Sequence, residues 1–457
     1  MTSSHPQNPT GAALLQRRRL LKLIGAAGAS GLGLGALSHL TAAAQSSGDY
    51  KALVYLFMAG GNDGNNLLVP LEPSLYGQYQ RARSNLALPR ESLLPISPSN
   101  GAGVQYGLHP AMGGIQTLFG QGKAALLANI GTLAVPTSRA QWNARSVPLP
   151  DNLFSHSDQQ LQWQSAIVDD APRSGWGGRM MERLLAPDSV NRGYGVLSVA
   201  GGNLWENGDR SLAAYKVSAS GNFGFDFYDP AGRDPVSIAI TETLAERREH
   251  LLEQAWNDVV ARSIDNQRVL TQALESSTLA TLFPDSNLGN QLRMVARLVA
   301  ARTRLGLQRQ CFFCSIGGFD THGDDQMQRQ NELLGEISNA VAAFYAATVE
   351  LGMQNNVTLF TGSDFGRTFQ SNGQGSDHAW GSHHLVVGGA VKGGQLVGRF
   401  QDLTLNGPDD AGDGKWIPGL SVDQLGATLG RWFGAGSALN EVFPRLTYFD
   451  ADLGFMA

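Results

Sequence analysis

From Ala52 to Met58 the chain carries only aliphatic and aromatic residues, with no polar position alternating in. A strand with one wet face alternates, so an unbroken run of this length reads as a strand buried on both faces. Lys123 to Ile130 and Cys311 to Ile316 have the same character, and shorter runs follow at Val357 to Phe360 and Leu385 to Val387. Helical patterns lie between them: Gln105 to Phe119, Asp151 to Ser165, Leu288 to Leu305 and Gln326 to Leu351. Ile240 to Leu282 reads as one further helix, and Ser421 to Gly434 as a last amphipathic one. Strands alternating with helices predict an α/β fold, a mostly parallel central sheet with helices on both faces. Residues from about 170 to 305 read as a mainly helical insertion.

The first 44 residues stand apart from that pattern. Arg17, Arg18 and Arg19 precede an apolar, Gly/Ala-rich stretch, and Ala42-Ala43-Ala44 offers small residues for a signal peptidase. Glycines at 25, 28, 31, 33 and 35 make the stretch too weakly apolar and too short for a membrane span. The expectation is a twin-arginine export signal over 1–44, read by the twin-arginine machinery, and a periplasmic or secreted domain over 45–457. The mature chain is expected to hold no stable membrane span. A formal charge of −5, with no basic run past the N-terminus, argues against a nucleic-acid partner. Cys311 and Cys314 form C-x-x-C, yet inside a strand they point to opposite faces, roughly 10 Å apart, so two buried thiols are expected rather than a redox pair.

Chemistry-bearing residues gather just past the strand runs. Asp63 follows the first, in a Gly-Gly-Asn-Asp-Gly turn; Asp320 and His322 follow the Cys311 run; Asp364 and Arg367 follow the Val357 run. Asp377 and His378 precede the Leu385 run. In open parallel sheets the carboxyl ends of strands are where ligands bind. Asp63, Asp320, His322, Asp364 and His378 are therefore the expected metal ligands, for one filled site or two ions about 3.5–4 Å apart. Zinc or manganese suits such a set better than calcium. Each residue has a plainer reading: Asp63 and Asp364 as turn formers, Asp320 as a helix cap, His322 as a surface residue. His383 and His384 enter a strand on opposite faces, so at most one faces the site.

Ester hydrolysis needs a nucleophile. Ser155 opens a predicted helix, where backbone N–H groups favour an anion; Ser155 and Asp158 also have the spacing of a helix cap. Thr137-Ser138-Arg139 is the rival. His156 is a candidate ligand or proton donor. Arg367 is a candidate for binding an anionic oxygen, with a structural ion pair as the alternative.

Four segments carry a resemblance. Gly60 to Asn66, Gly318 to Gly323, Ser363 to Thr368 and Gly375 to His378 resemble the domain of unknown function 1501, a family of twin-arginine-exported bacterial proteins grouped with the alkaline phosphatase and sulfatase superfamily. The resemblance spans essentially the whole mature chain. It implies an alkaline phosphatase-like fold, with Asp63, the Asp320/His322 pair, Asp364 and His378 at the superfamily's metal positions. Phe365 departs from the pattern, standing where active members often place a metal-binding His. The expected function is an exported, metal-dependent hydrolase of small-molecule or polymer phosphate or sulfate esters, with Ser155 as nucleophile. The alternative is a non-catalytic envelope protein on a degenerate hydrolase fold, binding a polyanion or a partner.

Overall fold

Strand β1 (Lys51–Ala59) takes the first apolar run and is buried along nearly its whole length. After it come β2 (Leu68–Pro70), β3 (Leu94–Ile96), β4 (Tyr106–Leu108), β5 (Ala124–Gly131), β6 (Val196–Ser198) and β7 (Tyr215–Lys216). The later strands are β8 (Arg309–Gly317), β9 (Val357–Ser363), β10 (Ser382–Gly388), β11 (Leu396–Val397) and β12 (Leu420–Ser421). The computed structural model describes residues 50–185, 193–221, 228–229, 232–275 and 277–457. The expected export signal lies outside those residues.

Nine strands form one sheet in the order β11-β5-β10-β9-β1-β8-β6-β7, with β12 beside β5. Its pairings are parallel except for β10, which runs against both β9 and β5. The small sheet β2-β4-β3 is antiparallel. The expected class, a mostly parallel sheet between helices, is what the chain forms. Alternation along β1 explains the unbroken run. Val54, Leu56 and Met58 pack into one core with helices Gly113–Gly120, Asn287–Ala301 and Gln326–Glu350. Leu53, Tyr55 and Phe57 pack into the other with His156–Ser165, Trp176–Leu184 and Val422–Phe433. Cys311 and Cys314 divide in the same way between the two cores, free and buried.

Three expectations are corrected. The pattern from Gln105 begins as strand β4, which pairs with β2 and β3, and the helix starts only at Gly113. Pro110, lying between them, ends the strand without a donor to continue it. Ile240 to Leu282 is two helices, Pro235–Ala245 and Leu251–Glu275. The break at Glu246, in extended conformation, carries no Gly or Pro signal; the Asn257 amide from the second helix donates to the freed carbonyls of Thr243 and Glu246. The stretch read as a helical insertion also returns to the main sheet through β6 and β7. Residues 48–457 make one compact unit. No described helix is long and apolar enough to cross a membrane.

Glu206 is fully buried, and burial pushes its carboxyl up to about 8 against opposing hydrogen bonds from Asn203 and Phe313. The folded chain thus holds Glu206 protonated at pH 7, while the unfolded chain ionises it near 4.5. Its effect is to lower stability as pH rises from about 4.5 to about 8. Glu206→Gln is expected to flatten that decline and to gain up to about 3 kcal/mol at pH 7. Urea unfolding of both proteins at a series of pH values measures it; parallel pH profiles contradict it.

Candidate metal centre

The ends of β1, β8 and β9 lie side by side, because β1 is paired with both neighbours up to its last residues (Ala59 with Gly317, Met58 with Ser363). Each chain then turns into a polar loop on the same edge. Since β10 is antiparallel, its beginning, not its end, lies on that edge, and the loop carrying His378 enters there. A backbone bridge between Arg367 and His378 fixes that loop to the one after β9. Gly60, at φ 116, lets the loops close up: a Cβ there would lie 2.5 Å from the Asp320 backbone nitrogen.

Three imidazoles and one carboxylate meet on this rim. Asp320 Oδ1 lies 3.4 Å from His156 Nε2, 3.0 Å from His322 Nε2 and 3.3 Å from His378 Nε2. His378 Nε2 is 3.1 Å from His156 Nε2 and 3.0 Å from His322 Nε2. Every ring has its other nitrogen against an acceptor: His156 Nδ1 faces Asp364 Oδ2 at 2.5 Å, His322 Nδ1 faces Asp377 Oδ1 at 3.1 Å, and His378 Nδ1 faces the Phe154 carbonyl at 2.9 Å. The carboxylate of Asp320 is half exposed and His322 nearly so, whereas the Asp364 side chain is fully buried. Phe365, the departure from the expected pattern, is buried beneath the cluster. Its ring centre lies 4.7 Å from that of His156 and 4.6 Å from that of His378, making an apolar floor that limits ring movement.

Electrostatics follow from these contacts. Burial acts to raise the Asp320 carboxyl, but hydrogen bonding and charge from Arg367, with His156 and His322, outweigh it and hold it at about 2. Burial lowers the pKa of His378. Arg367 itself is fully buried, and its five N–H groups are committed: to the Gly61 carbonyl, the Ser376 and Thr321 carbonyls, the Gly60 carbonyl and Asp320 Oδ1. It positions Asp320 and the surrounding loops and has no donor left for an outside anion, so the structural alternative describes it. His156, a side candidate in the sequence, belongs at the centre.

Asp63 does not join the four. One oxygen accepts the Asn65 backbone N–H at 3.1 Å, while the other takes Arg83 and the Gln326 amide, the latter at 2.7 Å. Nothing near Asp63 in the sequence signals Arg83, which arrives as the last residue of helix Pro73–Arg83. Both Asp364 oxygens are likewise engaged, by the Gly60 N–H on one side and by Gln160 and His156 on the other. The Ser155 hydroxyl donates to the Asp158 carboxylate and lies 3.1 Å from Ser157 Oγ, instead of capping the helix backbone. In the rival segment Ser138 forms a complete capping box with Gln141, and Arg139 binds Gly407 and Asn406. His383 and His384 are both buried in β10, bonded to Asn129 and Thr361.

A model of the family described as protein of unknown function (DUF1501) matches residues 50–412. The chain belongs to that family. The DUF1501 match takes in the three loops and His378, hence every residue of the cluster. No curated protein matches the chain. Solved structures similar to this DUF1501 chain include the PsFucS1 sulfatase from Pseudoalteromonas sp., at 9% identity and TM-score 0.33, covering 91% of this chain and 72% of that one. The lipoteichoic acid synthase LtaP from Listeria monocytogenes matches at 8% identity and TM-score 0.30, covering 79% and 73%. The phosphonate monoester hydrolase of Agrobacterium radiobacter matches at 11% identity and TM-score 0.30, covering 83% and 73%.

Proposed function

We propose that this chain is an exported, metal-dependent hydrolase of phosphate or sulfate esters. The observation that carries the reading is the meeting of His156, His322 and His378 Nε2 with Asp320 Oδ1 within 3.0–3.4 Å, each ring's Nδ1 being tied to an acceptor. Metal-binding histidines are held in this manner, with the far nitrogen donating to a carboxylate or carbonyl. Zinc bonds of about 2.0–2.1 Å separate neighbouring ligand atoms by about 3.3 Å, close to the 3.1–3.4 Å spacings among His156, Asp320 and His378. His156, Asp320 and His378, whose ligand atoms all lie within 4.8 Å of one another, would hold the cation, with His322 beside them, 3.0 Å from both Asp320 and His378. When bound, a divalent cation supplies Lewis-acid polarisation of an ester oxygen and lowers the pKa of an oxygen nucleophile.

The chain's own groups supply the rest. Ser155 adjoins His156, and in this reading its Oγ forms the bond to phosphorus or sulfur while the ester oxygen departs. Its hydroxyl proton passes to Asp158, to which it already donates, and from there to the departing oxygen; a water then takes the place of Ser155 Oγ on phosphorus or sulfur, and one of its protons restores the hydroxyl. That hydrogen bond is the first cause of the lowered Asp158 pKa, which makes Asp158 a weak base. Phe365 keeps water from beneath the rings, and Arg367 holds Asp320 in place.

A second reading, a non-catalytic envelope protein that binds a polyanion or partner, draws support from Phe365, which packs against His156 and His378 and offers no ligand atom where a metal-binding His is expected. Hydrolysis of aryl phosphate and aryl sulfate with added zinc, manganese or calcium separates the two. The expected result is turnover in the metal-loaded protein and its loss in Ser155→Ala. Metal-loaded protein that cleaves neither ester rejects the hydrolase and leaves the binder.

A further inference from the structure

We infer that the centre takes a single cation of zinc or cobalt(II) type, with Asp364 and Asp377 as positioning residues and Arg83 supplying Asp63 with the countercharge that a second cation would otherwise give. The inference rests on the metal-binding half of the proposed function and narrows it.

Proton placement comes first. A backbone carbonyl only accepts hydrogen bonds, so His378 Nδ1, 2.9 Å from the Phe154 oxygen, must carry the proton. Asp364 Oδ2 and Asp377 Oδ1 stand against His156 Nδ1 and His322 Nδ1 in the same way. Each ring, held at Nδ1, turns its Nε2 into the cluster, beside the Asp320 carboxylate oxygen. Along the five measured pairs these four atoms lie 3.0–3.4 Å apart, and among the described residues the side-chain donor to them is Arg367, which reaches Asp320 alone. One further proton on His378 would serve only some of these contacts; a cation among His156, Asp320 and His378 serves those three at once and leaves His322 at its edge.

The count of ions comes from the residues left outside. A two-ion site needs more carboxylate oxygens, and the expected sources are Asp63 and Asp364. Asp63 is almost fully buried and already neutralised by a guanidinium that is itself wholly inaccessible to solvent. Arg83 is held further by Asn66 Oδ1 and the Thr368 carbonyl, at 3.2 and 3.0 Å, so it has no route away from Asp63. Asp364 spends both oxygens on Gly60, Gln160 and His156, and Phe365 adds no ligand atom. The remaining donors, three nitrogens and one oxygen, suit zinc and cobalt(II); calcium takes six to eight oxygens and magnesium a near-ideal octahedron of them.

The full chain without its export signal, stripped by a chelator and dialysed against zinc, cobalt(II), manganese or calcium, tests this by elemental analysis. One zinc or cobalt(II) per chain is expected, displacing manganese and calcium, and the bound cobalt(II) should give the intense visible bands of four- or five-coordination. Asp364→Asn should weaken zinc binding by about 10–100-fold. If that buried substitution does not fold, Asp377→Asn, at an exposed carboxylate, should weaken it over the same range. Two ions per chain, preferred calcium, or unchanged zinc affinity in both variants overturns the inference and leaves the hydrolase reading standing. A chain that binds none of the four metals overturns both.

Discussion

His378→Ala is expected to lower zinc affinity by roughly two to three orders of magnitude while leaving the fold intact. Zinc held by four protein ligands gains about 10–16 kcal/mol in small folded sites, so one ligand accounts for roughly 3–4 kcal/mol. His378 lies at the middle of the cluster, in contact with His156, His322 and Asp320 at 3.0–3.3 Å. In the proposed centre its loss removes a ligand and also the ring against which the other two are set. The side chain is partly exposed and makes one backbone contact, to Phe154, and the bridge between residues 367 and 378 uses main-chain atoms. Competition against a chromophoric chelator gives the affinity, and circular dichroism checks the fold. Unchanged affinity in a folded variant removes His378 from the site.

Arg83→Met is expected to cost about 3–5 kcal/mol of stability, because it leaves a buried carboxylate without its counter-ion. Arg83 is wholly buried, and its reach extends beyond Asp63: it ties the loop after β1 to the backbone at Thr368 and Phe369. The Gln326 amide remains on Asp63 but carries no charge to replace it. Adding Asp63→Asn to Arg83→Met should recover a large part of the loss, since the orphaned charge is then gone. Urea unfolding of the two single variants and the double variant, analysed as a thermodynamic cycle, measures the coupling. Additive losses, with no recovery in the double variant, would show that the two side chains act independently.

The sheet was legible because strands buried on both faces are mainly apolar, and β1, β5 and the middle of β8 carry that pattern in the chain. The edge that gathers polar side chains followed from strand direction. His378 reaches that edge only because β10 runs antiparallel, which the apolar pattern of Leu385 to Val387 does not encode. The division of labour among the acids was hidden for a related reason. Asp63, Asp320 and Asp364 follow strands in nearly identical fashion, and what separates them is a partner far off in sequence: Arg83 for the first, Arg367 for the second, His156 for the third. His156 could be seen as a candidate only, since its place depends on how helix His156–Ser165 packs across the sheet. The break at Glu246 was invisible because the group that caps it, Asn257, comes from the next helix.

The two thiols of β8, facing opposite ways and each sealed in a different layer, leave the chain without a covalent cross-link to gain or lose. A thiol reductant therefore has no bond to cleave, and the folded state should unfold at the same denaturant concentration with or without dithiothreitol. Its architecture rests on packing, hydrogen bonds and ion pairs such as Arg83–Asp63, and not on a disulfide.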